Sequence, residues 1–201
     1  MDENWDIPLG WEMHGDALLL KHLQGRIFQK GTSWVEIGSG SSTLPLAQKS
    51  KELELNFVSV DLSSEYISLR QKLAEIDPNF KFMMLKGEDF LRSYTDPISI
   101  AYLDGYDTAQ LGWAPPLDMQ SRYKSIGGWA GNESSWQMHE TCAKLVDKLL
   151  VSGGLICIDD NWRKDGAWSY RSKGRLALPY LISNGYKEVQ YVHGAILLEK
   201  P

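Results

Sequence analysis

Hydrophobic positions along this chain fall into short β-branched runs separated by longer amphipathic stretches. Trp34–Ile37, Asn56–Asp61, Phe80–Leu85, Ile98–Asp104 and Leu155–Asn161 read as strands. The first, fourth and fifth are almost continuously apolar, the mark of strands buried on both faces. Helices are expected over about 16–28, 44–51, 64–76, 135–150 and 176–184, the third closed by Asp77-Pro78 and the last by Gly185. The helix over 135–150 places Cys142, Leu145, Val146 and Leu149 on one face. Tyr186–Val192 and Ala195–Lys200 are strands joined by His193-Gly194, a turn so short that the pair must be antiparallel. Strand and helix alternate as far as the fifth strand, so the order predicts an α/β fold. It is a doubly wound, mostly parallel, seven-stranded sheet with a C-terminal antiparallel hairpin.

The first strand runs into Gly38-Ser39-Gly40-Ser41-Ser42-Thr43. The glycines permit a sharp turn and leave no side chain between backbone and ligand. Ser41, Ser42 and Thr43 suit the N-cap of the helix that follows. In a Rossmann-like sheet this strand–turn–helix is where a nucleotide-like ligand binds. A dinucleotide fingerprint would place glycine where Thr43 stands. Glu36 would repel a pyrophosphate and attract a cationic ligand. Asp61 ends the second strand, where an acid hydrogen-bonds ribose hydroxyls. Glu88 or Asp89 could accept from an adenine amine, or be acids at a helix N-terminus.

Composition sets the class. The 201 residues are 43% apolar and 23% charged, enough for one domain with a sizeable core. We expect a single domain over 1–201, with an N-terminal helical cap over 1–30 and a substrate lid over 105–135. The lid stretch holds Pro115-Pro116, Gly127-Gly128, Trp113, Tyr123 and Trp129. A net charge of −5 argues against nucleic acid as partner. No run approaches transmembrane length, and the acidic N-terminus is not a signal peptide. Cys142 and Cys157 lie in apolar runs, as reduced thiols of a cytoplasmic protein would. The expected partner is a small molecule, with no membrane. Assembly state is open, a homodimer included.

Acids also end the fourth and fifth strands, at Asp104 and at Asp159-Asp160. Parallel strands bring these ends to one rim. Gathered carboxylates suit a hard cation, Mg²⁺ or alternatively Mn²⁺ or Ca²⁺. His14 is a surface or packing residue or alternatively touches a ligand, and His22, in mid-helix, reads as structural. The basic, aromatic stretch 162–175 is either a solvated face or a clamp for an acidic group.

Glu36-x-Gly38-x-Gly40 resembles motif I of the class I S-adenosylmethionine methyltransferases, and the likeness runs from about residue 30 to the C-terminus. It implies a cofactor site of Glu36, Gly38, Ser39, Gly40, Ser42, Thr43, Asp61, Leu62, Gly87, Glu88, Asp89 and Asp104. Leu103-Asp104 and Gly153-Gly154 leading to Asp159-Asp160 resemble the metal-dependent O-methyltransferases of catechol and antibiotic-sugar type. That likeness implies metal ligands Asp104, Asp159 and Asp160, or Asp160-Asn161 if the register slips by one. It puts a base at Asp107, where those enzymes carry Lys or His, and His139 is the other candidate. A metal-bound hydroxyl would lose its proton more readily. The expected reaction is metal-assisted methylation of a small-molecule hydroxyl. Alternatives are a metal-independent methyltransferase acting on nitrogen, carbon or a peptide carboxylate, with Asp104 orienting the acceptor, a non-catalytic S-adenosylmethionine-binding module, or an NAD-linked enzyme.

Overall fold

A computed structural model of the protein describes residues 12–63, 66–106, 117, 121, 124–125 and 131–201. The expected base Asp107, most of the 105–135 lid and the first part of the 1–30 cap lie outside these residues. The described elements run α1 (Gly15–His22), β1 (Ser33–Ile37), α2 (Thr43–Glu52), β2 (Asn56–Asp61), α3 (Ile67–Ile76), β3 (Lys81–Met84), α4 (Gly87–Ser93) and β4 (Ile98–Leu103). They continue with α5 (Asn132–Leu149), β5 (Leu150–Asn161), β6 (Arg163–Lys164), β7 (Ala167–Trp168), α6 (Ala177–Ser183), β8 (Lys187–Val192) and β9 (Gly194–Glu199).

Seven strands form one sheet in the order β3-β2-β1-β4-β5-β9-β8. Pairing is parallel from β3 to β5, and β9 is antiparallel to both its neighbours. The strand order reverses between β1 and β4, and a crevice opens there at the carboxyl ends.

Side chains alternate across a strand, so each central strand feeds two cores. Val35 and Ile37 of β1 join Ala101, Leu103, Ile156 and Ile158 beneath Leu91, Met138, Val146 and Leu178, on the face covered by α4, α5 and α6. Trp34 points the other way, to Phe57, Ile100, Tyr102 and Cys157, with Leu18, Leu46 and Leu73 of α1, α2 and α3 above them. Fully burying such a side chain stabilises by roughly 1.5–3 kcal/mol. Period-two alternation inside strands that look uniformly apolar is what fixes where Glu36 and Asp159 must point.

Two boundaries differ from expectation, and a short ribbon is added. Helix α1 stops at His22, not near Phe28. Strand β5 starts at Leu150, so Gly153-Gly154 lies inside it rather than in a turn before it. Gly153 takes φ +73°, and a Cβ on Gly154 would sit 2.8 Å from the Val151 carbonyl oxygen. The pair makes a bulge, visible as a register shift against β4. Within the basic stretch, β6 and β7 form a two-residue ribbon closed by Asp165 and Gly166, both at positive φ. Asp-Gly is a favoured sequence for such a turn.

Candidate active site

A cleft of about 470 Å³ opens over the carboxyl ends of β1, β2, β4 and β5, within the usual range for a small-molecule site. Its lining includes Gly38, Ser39, Asp61, Leu62, Gly87, Asp104, Asp159 and Asp160 among the expected residues. His14, Tyr66, Met138 and Lys173 line it as well.

The glycine turn forms one end. Gly38 has φ +97°, and a Cβ there would lie 2.5 Å from the Gly105 nitrogen and 2.6 Å from the Asp104 carbonyl carbon. The turns after β1 and β4 therefore touch backbone to backbone, held by the Asp104 N–H donating to the Ile37 carbonyl at 2.8 Å. Only glycine fits. Gly40 is different, with nothing within 4 Å of where its Cβ would stand. Asp61 ties the second strand to this turn. Its Oδ2 accepts from the Ser39 N–H at 3.0 Å and its Oδ1 from the Ser63 N–H at 2.6 Å.

Glu36 does not line the cleft. Alternation sends it to the α1–α3 face, where it is fully buried. Its oxygens accept from the Ser42 hydroxyl at 2.8 Å and the Ser59 hydroxyl at 2.5 Å. Burial pushes its pKa up to about 7 against the pull of these donors. Ser42 is thus turned inward to Glu36 and makes no helix cap, correcting that expectation. Thr43 instead accepts from the Gly40 N–H at 2.9 Å through its hydroxyl. These three residues shape the loop from behind.

The acid end has a component that the sequence reading left in the basic stretch. Lys173 Nζ donates to Asp104 Oδ1 at 2.6 Å and stands 2.9 Å from Asp160 Oδ2. It also donates to the Asp104 carbonyl oxygen at 3.1 Å. The Lys173 side chain is only 2% exposed. Asp159 stands beside this ion pair and is held toward the α1 side of the sheet. Its Oδ1 accepts from the Gly15 and Asp160 N–H groups, each at 3.0 Å, and its Oδ2 from the Tyr102 hydroxyl at 2.9 Å. Burial, then the charges of Asp104 and Asp160, raise its pKa well above the carboxylate range. A Cβ on Gly15 would lie 2.9 Å from the Tyr102 ring, so glycine is needed for α1 to reach Asp159. Asp160 sits at a bulge with φ +54°. Asn161 is buried, its amide donating to the Ile158 and Asp159 carbonyls and accepting from the Gly174 N–H. The register ambiguity closes there, because Asn161 does not reach the cleft.

These donors do not fit the expected divalent ion. An ammonium stands between two of the three carboxylates, and both oxygens of the third accept from protein groups. Among the described residues, no three His, Cys, Asp or Glu side chains are gathered as a metal site.

His139 is also displaced from its expected role. It is buried in α5, off the cleft lining, with Nδ1 2.8 Å from the Ser135 carbonyl oxygen. Burial and the Lys173 charge lower its pKa to about 3, so the ring is neutral and donates there. Glu88 and Asp89 are off the lining too, and Asp89 pairs with Arg92 at 2.6 Å. Gly87 does line the cleft, and a Cβ on it would meet Ile37 Cγ2 at 2.5 Å. Sequence reasoning missed Lys173, Tyr102 and Gly15. A lone glycine before a helix was the only local cue to the last, and nothing local marked the first two.

No protein-family model matches the chain, and no curated protein matches it. Solved structures do. A Clostridium thermocellum protein proposed to be an rRNA methylase superposes with TM-score 0.58 at 14% identity, covering 94% of this chain and 98% of that one. A Streptococcus mutans protein proposed to be a methyltransferase, solved with S-adenosylhomocysteine, gives 0.54 at 15%, with coverage of 92% and 97%. The TDP-rhamnose 3'-O-methyltransferase CalS11 of calicheamicin biosynthesis gives 0.55 at 12%, with coverage of 92% and 76%. Likeness at this identity concerns architecture. The seven-stranded, mostly parallel sheet with its antiparallel C-terminal hairpin is the Rossmann-like methyltransferase fold.

Proposed function

We propose that the protein is an S-adenosylmethionine-dependent methyltransferase whose acceptor is a small molecule bearing a hydroxyl. One observation carries the reading. A backbone cradle at Gly38 with Asp61 beside it, and an acid rim at Asp104 and Asp160, line the same cleft. In this reading Asp61 holds the cofactor's ribose, Gly38 admits it close to the backbone, and Leu62, Tyr66 and Leu85 wall its base. The cofactor supplies an electrophilic methyl group on a cationic sulfur, which an acid-rich lining suits. Asp104 accepts the acceptor's hydroxyl proton in a hydrogen bond, orients the oxygen and can take that proton. No metal enters this scheme, because the rim does not fit one. An amine would meet the same carboxylate equally well, which keeps nitrogen methylation as the second reading.

Some structural neighbours are named for rRNA methylation. The net charge of −5 and the acidic lining favour an uncharged or cationic small molecule over RNA. Calorimetry with S-adenosylhomocysteine and with NAD is the first test. S-adenosylhomocysteine binds and NAD does not, and the opposite order overturns the proposal. Transfer of labelled methyl from S-adenosylmethionine to hydroxyl compounds, amines and RNA then separates the acceptor classes. Label in RNA alone would remove the small-molecule reading.

A further inference from the structure

A buried lysine between two acids could be mere packing, but four features of this one point to more. The Nζ meets three oxygens, Asp104 Oδ1, the Asp104 carbonyl and Asp160 Oδ2, at 2.6, 3.1 and 2.9 Å. An ammonium has three hydrogens to give. Its own side chain is enclosed while Asp104 and Asp160 keep 28% and 18% of theirs exposed. The cation is therefore mostly enclosed, at the edge of the cleft that the two carboxylates line with it.

The backbone carrying Lys173 is stapled to the end of β5. The Lys173 N–H donates to the Asp160 carbonyl at 2.9 Å, and the next N–H, of Gly174, donates to Asn161 Oδ1 at 2.9 Å. The Ser172 hydroxyl accepts from the Trp162 N–H and donates to the Trp162 carbonyl, both at 2.8 Å. A Cβ on Gly174 would lie 2.7 Å from Asn161 Oδ1, so the approach is close. Asp160 itself has φ +54° without being glycine. Such a conformation persists only where its surroundings over-determine it. Here Asp160 and Asp104 both reach the Lys173 ammonium, while Asp159 is held by Gly15 and Tyr102 on the α1 side.

We infer that Lys173 is the resident cation of the acid rim: its ammonium ties Asp104 to Asp160 and fixes both carboxylates toward the acceptor, in the place a divalent ion would need. The acceptor half of this statement rests on the methyltransferase reading, whereas the ion triad does not. Lys173 is a positioning residue, acting through the two acids. A divalent ion could enter only by displacing an enclosed ammonium, which would leave a buried charge unpaired.

The experiment titrates Mn²⁺ alone into the wild-type protein and into Lys173→Ala, following the free ion by electron paramagnetic resonance. Wild-type protein shows no saturable binding. Lys173→Ala acquires it, because two carboxylates then border the space that the ammonium filled, and adding Asp160→Asn removes it again. A purely structural lysine would not produce that gain. Saturable Mn²⁺ binding by wild-type protein that Asp160→Asn abolishes overturns the inference. So does a Lys173→Ala protein that melts cooperatively and binds no Mn²⁺. If Lys173→Ala does not fold, Lys173→Met keeps the bulk and the same criteria apply, and the wild-type titration decides alone if neither folds. S-adenosylhomocysteine affinity, measured with and without EDTA, is unchanged by chelation. Its complete absence would sink the methyltransferase reading and leave the triad standing.

Discussion

The two ends of the cleft are built on opposite plans. At β1 and β2 the glycine turn brings backbone to the cleft. Gly38 is pressed against the turn after β4, and Asp61 is pinned by the Ser39 N–H of the glycine turn and the Ser63 N–H of its own loop. At β4 and β5 side chains line the cleft. Three carboxylates, one ammonium and one phenol gather there, drawn from β4 and the turn after it, β5 and the segment before α6, with the Gly15 N–H of α1 added. The first end gives a fixed shape that any ligand with a matching backbone-facing group can use. The second gives a charge arrangement that one substitution can reset. A general cofactor belongs at the first kind of site and a specific acceptor at the second.

The sharpest way to break the glycine end is Gly38→Ala. The left-handed backbone costs about 1–2 kcal/mol for a residue with a Cβ. The overlap with Gly105 and Asp104 backbone adds about 1–3 kcal/mol. We expect a loss of roughly 4 kcal/mol in chemical denaturation, with S-adenosylhomocysteine binding abolished. Gly40→Ala is the matched control. It meets open space and should change stability by under about 0.5 kcal/mol. Equal effects at both positions would show that the cradle is not what sets this end.

A second test reaches the loop from behind. Glu36 has a folded pKa of about 7 against 4.5 for an ordinary glutamate. Well below pH 4.5 it is protonated in both states, and its full contribution to stability is present. As pH rises, the unfolded chain ionises first, and stability falls until the folded carboxyl also ionises near pH 7. At about 1.4 kcal/mol per unit the loss is about 3 kcal/mol. Glu36→Gln keeps the shape and should remove this slope. Urea unfolding at a series of pH values between 4.5 and 7.5 measures it. The same slope in wild type and variant would place the titration elsewhere.

The contrast between the two ends also explains what could be read from the chain. The strands, the glycine turn and Asp61 are local signals: β-branched runs, a Gly-x-Gly spacing, an acid at a strand end. Each is set by backbone geometry within a few residues, so sequence carries it. Asp104 and Asp160 could be placed at the rim for the same reason. Their cation could not, because Lys173 lies 69 residues from Asp104 and reaches it only through the fold. Glu36 and Asp159 were misdirected for a shared cause. In a strand buried on both faces the apolar pattern hides which side a polar residue takes, and only the neighbours above the sheet, Ser42 for one and Gly15 for the other, reveal it. His139 illustrates the converse. A histidine on an amphipathic helix near a catalytic rim looks like a base until burial shows it facing its own helix backbone.

Tyr102→Phe sharpens the acid end with the smallest change. The phenol donates to Asp159 at 2.9 Å and lies 3.4 Å from Asp104 Oδ2, so it spans the pinned acid and the rim acid. Removing one hydroxyl from a buried pair costs about 1–2 kcal/mol. The ring stays in its core with Trp34 and Cys157, so packing is kept. Asp159 retains the Gly15 and Asp160 N–H groups, which hold its Oδ1. If Asp159 serves to anchor α1 over the rim, the variant melts lower but binds S-adenosylhomocysteine as before, since Tyr102 does not line the cleft. If Asp159 instead works with the acceptor, methyl transfer should fall much further than stability does. A drop in transfer without a drop in melting temperature would move Asp159 from the scaffold to the chemistry, and the acid end would then hold three working carboxylates rather than two.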